Sequence, residues 1–443
     1  MLLLRINVGS TQVDLFGAGM VSPVKGCRRS PGKRAGDHAE ERIDVMLQGL
    51  PDVIDDWIKM IEGLFSQIEL GEQAFLTIQP AEGLGQYQSE IVSGRIDLLG
   101  NGTSDMKRGS MGIRLELVRV NYWEGEEIDV PLSNPHGTNV TTGLVVDNQY
   151  HVASGKYNYA LVNGSAIDGE IPSPATVKIK NYDPSYGYSL GKILVGQEAA
   201  YNLQPGDTWL EGALGDSGLM YGAVVDSGAS GGQYGVVQWT GTIGIEIIRF
   251  VMQEDIAARF AGKLVRTVLR MFNTITTDDY WIRIVVKQGD AVEKTRWQKI
   301  ETYKKLQVLP AVHIPPKDLR SAEMSDVRIC IEMQRNVSGG HTFTIDDIDL
   351  IPIDGFREYA GLGTNGLMVG ETLFDEPVLD LMYSTDAAHQ TRSLTHRAIG
   401  KGIWMVPGLD QAFWVKFDRP NGDSYPNQFI YLSMSYRPRR INL

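Results

Sequence analysis

The chain has 443 residues, 42% of them hydrophobic and 22% charged, with 49 glycines and a formal net charge of −12. Such a length allows two or three domains with cores of their own, and the glycine content favours tight turns and therefore strands. The acidic balance argues against a general nucleic-acid binder, and two widely separated cysteines, Cys27 and Cys330, exclude a disulfide framework and a CxxC metal motif and suit a reducing cytoplasm.

Met1 is followed by three apolar residues, too few for a secretion signal or a membrane span. Strands are expected at residues 2–8 and 12–16. Residues 17–38 read as a long loop rich in Gly, Pro and Ser, and Lys25, Arg28, Arg29, Lys33 and Arg34 make it basic. Residues 39–72 hold nine acids against Arg42 and Lys59. Either these are two solvated surfaces, or the basic arm docks on the acidic segment of a neighbouring copy, where Asp52, Asp55 and Asp56 lie.

A strand at 43–47 precedes the one clear helix. Pro51 suits its first turn, Asp52, Asp55 and Asp56 suit its positive end, and Ile54, Trp57, Ile58, Ile61, Leu64, Phe65 and Ile68 recur at helical spacing up to Gly71. Strands follow at 74–79, 87–98 and 111–123. In the last, Ile113, Leu115 and Leu117 alternate with Arg114 and Glu116 before the apolar phase shifts to Val118, Val120 and Tyr122, which predicts a bulge after Leu117. Residues 1–135 therefore read as a β-sheet domain with one flanking helix and a long arm.

Residues 136–164 read as a polar connector, with a strand as an option at 143–146. An inserted, jelly-roll-like β-sandwich is expected over 165–355, with strands near 175–180, 244–252, 264–272, 281–287, 297–309, 327–334 and 342–351, and a string of glycine-rich loops over 212–235. Residues 356–443 carry short strands and are expected to complete the first domain. The fold class is mainly β.

Candidate chemistry is sparse. Gly215-Asp216-Ser217-Gly218 spells the surroundings of a serine-protease nucleophile, but no histidine stands in the matching context and Leu219 replaces a second glycine, so a loop is the expected role. Asp346, Asp347, Asp349 and Asp354 could offer oxygens to Ca²⁺, although on a strand Asp347 and Asp349 point one way and Asp346 the other; no cofactor is expected. Trp209, Trp239, Tyr280, Trp281, Trp297 and Tyr303 are core residues or a platform for sugar rings, with Trp281 and Trp297 the candidates to face a glycan. His389 and His396 read as surface residues.

The order of these features, a strand pair with a basic arm, then strand, helix and three strands, then an inserted sandwich and a closing β segment ending in Tyr436-Arg-Pro-Arg-Arg440, resembles structural tail proteins of bacteriophages and prophages, of the tail-tube-related and distal-tail kind. The insert, entered at Ile171-Pro-Ser-Pro-Ala175 and left at Asp346-Asp-Ile-Asp-Leu-Ile-Pro352, resembles the carbohydrate-module-like sandwiches grafted onto such proteins. The resemblance implies a non-enzymatic virion protein, made in the host cytoplasm. It would assemble with copies of itself into a ring, contact other tail proteins, let DNA pass without specific binding and carry the sandwich outward. The alternative is an adhesin or adaptor that grips a host surface glycan.

Overall fold

The computed structural model describes the chain except residues 18–22, 140–142, 151, 182–187, 199–211, 214–219, 227–228, 230–231, 241, 243, 253–256, 259, 278, 290, 317–326, 361, 363–365 and 421–427. The fold is mainly β, built from several antiparallel sheets. The chain divides into two units, residues 1–128 with 168–173 and 437–443, and residues 129–167 with 174–436.

In the first unit β1 (Leu3–Val8) and β2 (Thr11–Phe16) form one hairpin, and β3 (Val24–Ala35) and β4 (His38–Gln48) form another. Helix α1 (Pro51–Glu69) follows. Then β5 (Ala74–Gln79), β6 (Tyr87–Leu99) and β7 (Ser110–Val120) complete a sheet in the order β2-β1-β5-β6-β7-β4-β3. A five-residue helix α2 (Thr103–Lys107) lies between β6 and β7. At the sheet's margin Trp123–Glu124 pairs with Arg439–Arg440.

Pro51 starts α1, and Ile54, Trp57, Ile61, Leu64, Phe65 and Ile68 bury its inner face, as the spacing predicts. They pack on Ile43, Val45, Ile113, Leu115 and Leu117, one face of the sheet. Gly94 on β6 lets the helix come close, since a Cβ there would sit 2.7 Å from the Phe65 ring.

Two expectations for this unit are corrected. The basic stretch is an edge strand and not a loop: Cys27 pairs with Val45 and Arg28 with Asp44, while Pro31, which cannot donate to a ladder, is tolerated because among the described residues β3 has a sheet neighbour on one side only. The expected bulge in β7 is absent. Leu117, Val118, Arg119 and Val120 keep alternating, so Arg119 faces inward, and the extra residue is Val92 on β6, between partners Ile91↔Arg119 and Ser93↔Val118.

The second unit holds two sandwiches. The first takes strands from residues 128–198 and 356–436 and, among the described residues, stacks a seven-stranded sheet on an eight-stranded one around Val177, Ile193, Val195, Phe413, Val415, Leu432 and Met434. The second spans Gly212–Pro352 and stacks two six-stranded sheets around Trp239, Ile282, Ile284, Ile329, Ile331, Phe343 and Ile345.

The domain boundaries expected from the sequence change accordingly. The segment 136–164 is more than a connector: the strand considered at 143–146 is present as Leu144–Asp147 and pairs with Phe429–Tyr436, and Tyr159–Val162, not expected, pairs with Gln411–Asp418. Residues 356–436 do not complete the first sheet; their strands find edge partners in the sandwich, and only 437–443 return to the first unit. The insert is thus 212–352, not 165–355. Within it, Met220–Val225 and Gln233–Thr240 form a hairpin where loops were expected.

The insert leaves through Lys192–Glu198 and returns through Phe356–Tyr359, which pair with each other. The two sandwiches meet where Leu194 and Phe356 pack on Val268, Leu306, Val308 and Ile351. Gly196 permits this approach, because a Cβ there would lie 2.9 Å from Ile351. Buried polar bonds tie the same joint. Lys416 pairs with both Asp347 and Asp349, Arg270 donates to Asn148, and the Leu306 amide donates to Asp418 at 3.0 Å.

Candidate functional site

Alternation along β3, β4, β7 and β6 puts charged residues on the sheet face away from α1. Across the strands they form rows of alternating sign: Arg28, Asp44, Arg114 and Asp97 in one, Arg42, Glu116 and Arg95 in the next. Arg114 donates to both Asp44 oxygens at 2.7 and 3.2 Å, and this bond holds the Asp44 carboxyl below the usual carboxylate range. Arg95 donates from Nε to Glu116 at 2.9 Å, with Arg42 3.6 Å from the same residue. Charge is dense on this face, and Arg42, Arg95 and Arg114 are engaged by neighbouring carboxylates while Arg28, at the edge strand, is exposed.

On the inner face Arg119 donates to Glu41 from Nε at 3.0 Å and from Nη2 at 2.8 Å. Arg29 bonds the same carboxylate with two nitrogens, each at 2.9 Å. The Trp123 ring lies 4.3 Å from the Arg119 guanidinium carbon and 4.8 Å from that of Arg29, a cation–π arrangement within the core. Burial lowers the Arg119 pKa from its ordinary value while Glu41 acts to raise it.

The five arm cations divide. Arg29 is held by Glu41 and donates to the Leu443 carbonyl at 3.3 Å, and Arg34 donates to Asn442 Oδ1 at 2.9 Å. Lys25, Arg28 and Lys33 are exposed. On α1, Asp55 pairs with Lys59 at 2.5 Å, and Asp52 and Asp56 face solvent. No hydrogen bond or ion pair among the described residues joins the arm cations to Asp52, Asp55 or Asp56.

In the insert Trp239 and Tyr280 are core residues and Tyr303 is exposed in a turn at φ 61°, whereas Trp281 and Trp297 are partly buried. Trp281 lies on the outer face of its sheet, because Tyr280 and Ile282 point into the core. Arg283, on the same face, stacks 4.3 Å under the Trp297 ring. A Cβ at Gly244 would come within 2.6 Å of that ring, so the indole lies against bare backbone.

The aspartates considered for Ca²⁺ have another partner. Asp347 and Asp349 point to one side, as alternation predicts, and close on the buried Lys416 ammonium; Asp354 is exposed. Among the described residues no group of three or more His, Cys, Asp or Glu side chains is placed to hold a metal ion. Ser217 and Trp209 lie outside the described residues. His389 is exposed at φ 58°. The sequence reading missed Glu41 and Arg119, whose signal was a charged residue at each of two positions that strict alternation turns inward.

No protein-family model matches the chain, and no curated protein matches it. It is similar to a chain of the phage p2 baseplate in its activated conformation with Sr, at 10% identity and a TM-score of 0.23 over 77% of this chain and 97% of that one. A baseplate chain from the activated conformation with Ca gives 10% identity, a TM-score of 0.22 and the same coverage. A Paenibacillus xanthan lyase gives 8% identity and a TM-score of 0.19 over 73% of this chain and 36% of the lyase. At these scores superposition does not establish a shared fold, and a mainly β protein of two units, with a charge-laddered sheet and an indole-bearing sandwich face, is what the chain's own residues define.

Proposed function

We propose that the chain is a non-enzymatic structural protein of a bacteriophage tail, of the tail-tube or distal-tail kind. It assembles with copies of itself into a ring around the channel, contacts other tail proteins and carries the two sandwiches as additions. The observation that supports this most is the form of the first unit's sheet. Helix α1 seals one face, ion pairs lie across the other, and among the described residues β2 and β3 each pair with a strand on one side only.

Open strands are templates for pairing with another chain, and two different edges of one sheet can join head to tail and close a ring. Pro31 and register shifts on either side of Gly26–Pro31 confine such pairing along β3 to that short regular run. If the laddered face lines the channel, phosphates meet Arg42, Arg95 and Arg114 already engaged by carboxylates, in a chain of net charge −12, and DNA slides without sticking.

Native mass spectrometry with negative-stain imaging tests the proposal. Closed rings are expected; a monomer at every concentration, or rings that retain duplex DNA at physiological salt, would overturn it. A second reading, an adhesin that grips a surface glycan, is favoured by the placement of Trp281 and Trp297 on one sheet face. The two readings are compatible in a single tail protein.

A further inference from the structure

Alternation along Gln411–Asp418 sends Phe413, Val415 and Phe417 into the first sandwich's own core and turns Trp414, Lys416 and Asp418 toward the insert. Their partners differ. Trp414, with Tyr159 beside it, joins the insert's apolar core; Lys416 closes on Asp347 and Asp349; Asp418 accepts the Leu306 amide through Oδ2 at 3.0 Å. Asp418 Oδ1 is buried and has no hydrogen-bond partner among the described residues. Leu306–Val308, which the carboxylate holds, is the last strand of its sheet, and its apolar contact is the small one of Leu306 and Val308 with Leu194, Val268, Ile351 and Phe356. The joint is thus pinned by aromatic packing at one end and held more lightly at the other.

The cations around Asp418 are engaged with other groups. Arg270 donates to Asn148 Oδ1 at 2.9 Å and also to the Asn148 carbonyl. Lys304 donates to the Pro420 carbonyl at 2.7 Å, and Lys192, opposite Asp418 in the ladder, lies 3.5 Å from Glu301 and 3.6 Å from Glu358. Arg266 stacks 5.2 Å from the centre of the Phe356 ring, and Asp346 is buried where the ladder shifts between Arg270 and Met271. An ionised carboxylate calls for two or three donors, and Asp418 has a single amide; a neutral acid suits the place better. We infer that Asp418 is a proton-operated latch: neutral, it holds the Leu306 edge against the first sandwich, and ionised, it releases that end of the joint while Trp414 keeps the other in place.

The latch acts whether or not copies of the chain form a ring, and whether or not the insert grips a glycan. Burial pushes the Asp418 carboxyl up to about 6 from an ordinary 3.8, against the pull of Arg270, Lys192 and Lys304. Opening the joint gives the carboxyl water and returns it toward its ordinary value, so the closed joint binds the proton more tightly. Closure is favoured as pH falls; it weakens as pH rises from about 4 to about 6 and changes little above that. From about pH 5 to about pH 7.5 the open fraction is expected to rise about tenfold.

Hydrogen–deuterium exchange of the full chain, expressed as protection relative to the intrinsic amide rate at each pH, tests the latch. Peptides that carry Leu306–Val308 are expected to lose about tenfold in protection over that range, while peptides from the core strands Val327–Arg335 and Phe429–Tyr436 keep theirs. Asp418→Asn retains an acceptor for the Leu306 amide and cannot ionise, so its protection should stay at the acidic level throughout. Protection at Leu306 that does not change with pH, a loss shared equally by the core strands, or a pH response that survives in Asp418→Asn would each overturn the latch. The wild-type pH series decides even if the variant does not fold.

Discussion

Arg119 and Glu41 meet inside the first unit's core with 2% and 0% of their side chains exposed. A buried pair of this kind is weak evidence of stabilisation as a whole, but removing one member strands the other charge in a low dielectric. Glu41→Gln is therefore expected to lower stability by about 3–5 kcal/mol. The combined change Glu41→Leu with Arg119→Met and Arg29→Met, which removes both cations that Glu41 holds, should cost much less. Chemical denaturation of the three proteins checks the order.

Asp418 makes the opposite electrostatic statement. It is buried where the two sandwiches join, and burial pushes its carboxyl up to about 6 from an ordinary 3.8, against the pull of Arg270, Lys192 and Lys304. The folded chain thus holds a proton that the unfolded chain releases between those two values. This group's contribution to stability grows as pH falls from about 6 towards 4, and its cost is fully present above pH 6. Asp418→Asn is expected to stabilise the protein near neutral pH by up to about 3 kcal/mol and to flatten this part of the pH dependence. Thermal melting across the pH range measures both.

The exposed ladder should be visible by titration more than by stability. Arg114 keeps Asp44 ionised below the usual range, so Arg114→Ala is expected to return the Asp44 carboxyl upward in an NMR pH titration. Exposed pairs contribute about 0–1 kcal/mol, so the melting temperature should hardly move.

Two glycines should respond with opposite signs. Gly63 lies in α1 with nothing within 4 Å of a built Cβ, and Gly63→Ala is expected to stabilise the protein by about 0.5–1 kcal/mol. Gly94→Ala drives a methyl into Phe65 and should destabilise it by about 1–3 kcal/mol. Denaturation midpoints of the two variants settle the contrast.

Local features were legible in the sequence where one residue type forces one conformation. Pro51 and the spacing from Ile54 to Ile68 place α1 because a helix satisfies its own backbone and shows its pattern within one stretch. Strand partners were not legible, since the residues that satisfy a strand edge lie far along the chain. Residues 429–436 looked available to the first sheet, and they pair instead with Ser173–Lys180 and Leu144–Asp147. Arg119 misled for the same reason: its partner Glu41 is 78 positions away, so a charged residue in an apolar phase suggested a bulge. For the candidate surfaces, alternation set Arg114 and Glu116 on the opposite face from Ile113, Leu115 and Leu117. The stacking of Trp297 on Arg283 depends on a turn that alternation does not describe.

The strands that lead into and out of the insert lie side by side, with Ile193 opposite Tyr359 and Gly196 opposite Phe356. Opposed positions in such a ladder are about 5 Å apart, the span of a tight hairpin. In genetic terms the insert is a cassette: recombination between the codons flanking it can exchange one module for another while the host sandwich keeps every strand in register. What an incoming module must supply is modest, an apolar patch for Leu194 and Phe356 and two carboxylates for Lys416. A lineage could change what this protein touches without redesigning how it folds.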